Sequence, residues 1–182
     1  SFMQYSWNKN PSWQAINKIY SDLPASTEQI IHPEKYFVER DEPKPINADY
    51  YLNALGKNWK AVYRNVLGEF SLSLLLSLHL TEEHARKAAT GWGGDQVMLL
   101  EDDMGRNAAL IITTWDTAED AEKFFTAMDE WFRRHYPDLP RSGATPTGFS
   151  LTKNGEVSKL RREGLNILLL IGLPETEKFK DY

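Results

Sequence analysis

The stretch QVMLLEDDMGRNAALIITTWDTAEDAEKFFTAMDEWFRRHYP, residues 96–137, decides the fold. Its first half reads as two strands. They are Gln96 to Glu101 and a return strand from Ala108 to Trp115, joined by a turn over Asp102 to Arg106 that contains Gly105. The second half changes period. Asp116 or Thr117 caps a helix with Glu119 or Asp120 at the third position. Its apolar residues Ala118, Ala121, Phe124, Phe125, Met128, Trp131 and Phe132 recur at steps of 3, 3, 1, 3, 3 and 1, which is one helical face. Pro137 ends that helix. A hairpin followed by a long one-faced helix asks for the helix to lie across a sheet.

Towards the C-terminus, Asp138 to Gly148 reads as a loop with Pro140, Gly143, Pro146 and Gly148. Phe149 to Lys153 and Glu156 to Leu160 form a hairpin around Asn154-Gly155, the pair best suited to a type I′ turn. Leu165 to Ile171 is continuously apolar and predicts a strand that is central or buried on both faces. The order strand–strand–helix–strand–strand–strand predicts an α+β fold. One antiparallel sheet carries the long helix, with the leading helices packed alongside.

Towards the N-terminus, Trp59 to Leu67 alternates as a strand. Phe70 to Leu80, Leu-rich and poor in β-branched residues, predicts a buried helix. Thr81 caps the next helix, with Glu82 and Glu83 opposing its dipole, and the helix stops before Gly91. The segment Gly91, Trp92, Gly93, Gly94, Asp95 reads as a structural loop. It lacks the Gly-Lys-Ser/Thr ending of a phosphate cradle and precedes a strand instead of a helix. Gly91 ends the helix in left-handed geometry, Gly93 and Gly94 let the chain reverse over Trp92, and Asp95 bonds back to that loop. Further upstream, Asn10-Pro11 reads as the cap and first position of a helix from Ser12 to Asp22 that buries Trp13, Ile16, Ile19 and Tyr20. Ser26 with Gln29 forms a capping box for a short helix in which Ile30 and Ile31 pack. Arg40 to Pro45 is an exposed, extended connector. The chain is therefore expected to be a single domain, residues 1–182. Residues 1–60 form a helical and extended arm on an α+β core of residues 61–182.

With 41% hydrophobic and 26% charged residues, the chain has the composition of a folded domain. Its 21 Lys and Arg against 26 Asp and Glu give a charge of −5 without a basic block, so no nucleic-acid partner is expected. The absence of cysteine excludes disulfides, thiol catalysis and iron–sulfur clusters. No apolar run approaches ~20 residues, so no transmembrane segment is expected. Ser1 to Asn10 lacks a charged-then-apolar signal pattern.

Only four histidines are available for chemistry. In His79-Leu-Thr-Glu-Glu-His84 the two rings are five apart and diverge by about 140° on a single helix, so the H-E-x-x-H zinc geometry is not met. His135 lies in a last helical turn, where a cation complements the dipole. Asp102-Asp103 and Glu82-Glu83 read as solvated pairs, and no nucleophile elbow or calcium loop occurs. No catalytic residue, metal ligand or cofactor is predicted. His32 stands out. It sits in Ser26-Thr-Glu-Gln-Ile-Ile-His-Pro-Glu-Lys-Tyr36, which gathers hydroxyls, carboxylates, an imidazole and a phenol on a segment shaped by Pro33. Glu28, His32, Glu34 and Tyr36 are its candidate cleft-lining or partner-facing residues. The bland reading has Ser26 and Gln29 capping and the charges facing water.

Three stretches, Ser26 to Tyr36, Gly91 to Asp95 and Thr114-Trp-Asp-Thr-Ala-Glu-Asp-Ala121, together resemble the C-terminal region of a group of bacterial and archaeal proteins. Full-length members of that group resemble peptidase-MA-like, zincin-type metallopeptidases. The resemblance spans roughly residues 10–173, and the first stretch is its most specific part. It implies that the H-E-x-x-H helix and its downstream Glu ligand lie N-terminal to this segment, which contains neither. The expectation is a non-catalytic accessory or interaction domain, following an adjacent protease-like domain or belonging to a relative that has lost it. Glu28, His32 and Tyr36 would then line the rim of the neighbour's cleft, and the location would be exported or membrane-tethered. Two alternatives stand beside it. One is a small-ligand binder with an apolar pocket from Trp7, Trp13, Tyr20, Tyr50, Tyr51 and Trp59. The other is a self-contained hydrolase using His32, Glu34 and His84.

Overall fold

A computed structural model describes residues 1–177. Seven strands form one antiparallel sheet: β1 (Trp59–Asn65), β2 (Trp92–Asp102), β3 (Asn107–Trp115), β4 (Ser142–Thr145), β5 (Gly148–Lys153), β6 (Glu156–Glu163) and β7 (Asn166–Pro174), in the order β1-β2-β3-β7-β6-β5-β4. Eight helices accompany them among the described residues. The first five are α1 (Phe2–Lys9), α2 (Trp13–Ile19), α3 (Thr27–Ile31), α4 (Glu34–Phe37) and α5 (Ala48–Ala54). They are followed by α6 (Gly68–Ser77), α7 (Glu82–Ala89) and α8 (Ala118–His135). The fold is α+β, with the long helix on the sheet and a set of N-terminal helices.

The continuously apolar β7 occupies the middle of the sheet, between β3 and β6. Its side chains alternate between two cores. Ile167 and Leu169 join the cluster under α6, α7 and α8, while Leu168 and Leu170 join a second cluster with Ala48, Leu55 and Trp59 on the opposite face. The centre of the molecule is thus three layers: α6–α8, sheet, α5. Helix α8 is capped by Thr117, whose Oγ1 accepts from the Asp120 amide at 3.1 Å. It buries Ala121, Phe124, Phe125, Met128, Trp131 and Phe132, whereas Ala118 stays exposed. Asn154 and Gly155 take φ of 54° and 81°, the left-handed pair that a type I′ turn requires, and set the β5–β6 register at Lys153 opposite Glu156.

Several local expectations are corrected. The stretch 138–148 is not all loop, because Ser142–Thr145 adds β4 at the sheet edge. Helix α2 is capped by Ser12, not Asn10. The Ser12 hydroxyl accepts from the Ala15 amide at 3.1 Å, while Asn10 closes α1. Only Ile16 and Ile19 of its expected apolar set are buried, packed with Phe2, Tyr36 and Phe37. Trp13 and Tyr20 are 73% and 72% exposed, because the small cluster behind α2 covers a single narrow face. Ser26 caps α3 as expected, yet Ile30 and Ile31 are exposed. Helix α6 is not buried all round: Leu72, Leu76 and the following Leu80 face the core, while Phe70, Leu74 and Leu78 face outwards.

Candidate functional site

The geometry begins at β2. Trp92–Asp95 are the first residues of that strand, not a loop. The chain does not reverse over Trp92 but continues through an irregularity between Trp92 and Gly94. Asp95, buried, bonds back to Trp92 as expected and has a further task. Its carboxylate accepts from the Leu67 amide at 2.8 Å, the Gly68 amide at 2.7 Å and the Trp92 indole Nε1 at 2.9 Å. It therefore caps α6 from another element, supplying the acceptor that the first amides of a helix need. Burial pushes its carboxyl up, against the pull of the three donors. Thr27 of α3 also contributes: its Oγ1 accepts from the Phe70 amide at 3.3 Å. Gly68 lets that contact form. Its φ is 73°, and a Cβ there would lie 2.5 Å from Thr27 Oγ1.

This arrangement fixes Glu69 in the first turn of α6, only 3% exposed. Its Oε1 lies 3.0 Å from His32 Nε2, across the junction between arm and core. Its Oε2 is enclosed and has no hydrogen-bond partner among the described residues. His32 Nδ1 is 3.8 Å from Glu34 Oε1. The hydrogen bond to Glu69 holds the His32 pKa above its ordinary value against burial, aided by the charges of Glu69, Glu34 and Glu28.

Beside this pair opens a cleft of about 540 Å³ lined by Ile31, His32, Glu69, Phe70, Ser73, Leu74, Ser77, Glu82, Arg86 and Thr90. Phe70 and Leu74, each 51% exposed, form its apolar floor. The hydroxyls of Ser73 and Ser77 donate to the Phe70 and Leu74 carbonyls of their own helix, both at 2.8 Å. Glu82 and Arg86 are exposed and form no ion pair among the described residues.

The other expected site residues lie elsewhere. Glu28 is buried and meets Lys35 Nζ at 2.6 Å; that ammonium also reaches Asp41 at 2.8 Å and Asp116 at 2.7 Å. Lys44 adds a second cation on Asp116 at 2.9 Å. Burial pushes the Glu28 carboxyl up to about 7 despite Lys35. Hydrogen bonds from Lys35 and Lys44 hold Asp116 below the usual carboxylate range, against its burial. Glu28, Asp41 and Asp116 lie within 4.8 Å of one another, a spacing suited to a metal ion, and the Lys35 ammonium occupies the centre instead. Tyr36 turns away from His32, donating to the Asp22 carbonyl and packing on Phe2 and Phe37. His84 faces Glu130 at 3.7 Å, so His32, Glu34 and His84 do not converge. His79 Nε2 and His135 Nδ1 pair at 2.8 Å, and burial, with His79 beside it, lowers the His135 pKa, contrary to a cationic role at the helix end. The six aromatics of the expected apolar pocket are dispersed: Trp7, Trp13 and Tyr20 are exposed, whereas Trp59 is in the core.

Residues 57–181 match the family described as a domain of unknown function (DUF8575). No curated protein and no solved structure matches the chain. The matched region contains Glu69, Arg86, Gly91–Asp95 and Asp116, while Ser26–Tyr36 precedes it. Since the match takes in more than half of its length, the chain belongs to the DUF8575 family.

Proposed function

We propose that the chain is a non-catalytic binding domain, whose cleft between α3, α6 and α7 takes an apolar group carrying a protonated amine. The observation that carries this reading is Glu69, which lines the apolar cleft and whose Oε2 has no donor among the described residues. A buried unsatisfied polar atom costs on the order of 1–3 kcal/mol, which a donor from a ligand recovers. Two carboxylates, Glu69 and Glu82, line the cleft, and Glu34 lies 3.8 Å from His32 at its side. Phe70, Leu74 and Ile31 supply the apolar surface, and the volume falls in the range of small-ligand sites. A binding role is favoured over hydrolysis because the hydroxyls in the cleft are directed to helix carbonyls, and His32 faces carboxylates on both ring nitrogens.

The resemblance to a region that follows zincin-type metallopeptidases supports an accessory role, with the amine on a segment of a protease-like neighbour. An H-E-x-x-H motif in the parent reading frame ahead of Ser1 would support that neighbour; an unrelated domain there would overturn it and leave the cleft reading standing. The cleft itself is tested on the whole chain by thermal denaturation with an alkylamine and with an alkylcarboxylate of equal length. The amine raises the midpoint and the carboxylate does not. Glu69→Gln, which replaces an acceptor-only carboxylate by an amide, abolishes the preference. Equal effects of both compounds, or an unchanged preference in the variant, would contradict the reading.

A further inference from the structure

A second constellation lies at the C-terminal end of α6. His79 follows that helix, and α8 ends on His135, 56 residues further along the chain. His79 finds its partner there and not in His84 of α7, which faces Glu130. His79 Nε2 and His135 Nδ1 stand 2.8 Å apart. Trp131 packs against both rings, stacked with His135 at 4.7 Å between centroids and T-shaped with His79 at 5.1 Å. The indole is itself tied down, donating to the Leu75 carbonyl at 2.9 Å. Arg134 holds the backbone of the pair, donating to the His79 carbonyl at 2.8 Å while paired with Glu130. His135 is exposed and His79 half-buried, so the two rings are open to solvent.

We infer that His79 and His135 together bind a divalent transition cation that favours right-angled ligands, copper(II) or nickel(II). Two nitrogens each about 2.0 Å from one ion and at right angles to one another are about 2.8 Å apart, the separation found in this pair. Tetrahedral zinc spreads the same two bonds to about 3.3 Å. Imidazole suits copper and nickel, and copper(II) stands at the top of the divalent affinity order. The protons balance. In the neutral pair one ring donates the shared proton and the other accepts it. When the ion enters, that proton passes to the outer nitrogen of the ring that held it, and both inner lone pairs turn to the metal with no net proton released. Neither ring makes another hydrogen bond among the described residues, so both outer nitrogens can carry a proton. No third His, Asp or Glu completes the set among the described residues, so water fills the remaining positions. The neighbouring cations are engaged, Arg134 as described and Lys153 over the Tyr136 ring at 5.1 Å. This site is distinct from the His32–Glu69 cleft, and neither proposal depends on the other.

The test is calorimetric titration of the whole chain with copper(II) and, separately, with nickel(II) at neutral pH, joined for copper by electron paramagnetic resonance. Wild type binds one ion per chain, copper the more tightly, and the copper spectrum shows nitrogen splitting from two imidazoles. His79→Ala and His135→Ala each weaken binding at least about tenfold, since loss of even an outer partner of a metal ligand costs about 10–100-fold. His84→Ala leaves it unchanged. Circular dichroism checks the fold of each variant, and His135→Gln, at an exposed position, carries the test if His79→Ala does not fold. The inference is overturned if wild type binds neither ion, or if the affinity survives loss of either ring, which would assign the ion to other groups of the chain. It is equally overturned if the copper spectrum shows a single imidazole.

Discussion

Glu69 is enclosed on α6 with one oxygen on His32 and the other unpaired, and its hydrogen bond favours the charged form of the imidazole. The His32 pKa is raised in the folded chain. Its stabilising contribution is therefore fully present below the ordinary value of 6.5 and is lost as pH rises through the folded pKa. In Glu69→Gln the titration of the His32 ring, followed by NMR, moves down, and the stability gap between wild type and variant narrows with rising pH. Glu28 has the same sign for a different reason. Burial lifts its folded pKa from 4.5 to about 7, so stability falls as pH rises across that interval. Glu28→Gln removes this part of the slope, measured as urea midpoints between the two values. A slope that survives the substitution would refute the assignment. At this scale the sequence was informative about His32 and uninformative about its partner. Glu69 is a lone carboxylate ahead of an apolar run, 37 residues away, and only the tertiary fold brings the two together.

At the scale of elements, α6 depends on β2. Asp95→Ala leaves the Leu67 and Gly68 amides and the Trp92 indole without their acceptor. Loss of a cap together with an orphaned buried donor costs about 2–4 kcal/mol, read from denaturant unfolding. Because the cap also aims Glu69, the variant loses amine binding as well. The outline of these elements was legible: the 3.6 period of α8 and the Asn154-Gly155 turn carry their own geometry. Helix α6 was legible only in part. A run apolar on all sides has no periodicity to say which leucines face out, and the outward row Phe70, Leu74 and Leu78 became the cleft and its margin. The Gly91–Asp95 segment misled for a related reason: glycines announce a turn, yet here they allow the connector to lie against β2, where the Lys44 amide donates to the Gly93 carbonyl at 2.7 Å.

At the scale of the whole molecule, the arm is held to the core by cations. Lys35 bridges Glu28 and Asp41 of the arm to Asp116 at the start of α8, and Lys44 adds to it. Lys35→Ala leaves three carboxylates within 4.8 Å without their central ammonium. Breaking a buried pair on one side costs roughly 3–5 kcal/mol, moderated here by protonation of Glu28. Residues 28–45 then gain hydrogen exchange and proteolytic sensitivity, while β3 and β7 stay protected. The α+β architecture followed from the order of elements along the chain. The placement of the arm did not, since ion pairs across 81 residues leave no periodic trace.

The central claim is that Glu69 receives an amine in the cleft. Its most direct test is an NMR titration of the whole chain with an alkylammonium salt, followed at Ile31, His32, Phe70 and Leu74. Saturable shifts confined to the cleft are expected in wild type, and their loss in Glu69→Gln. Shifts that are absent, scattered over the surface or unchanged in the variant would contradict it.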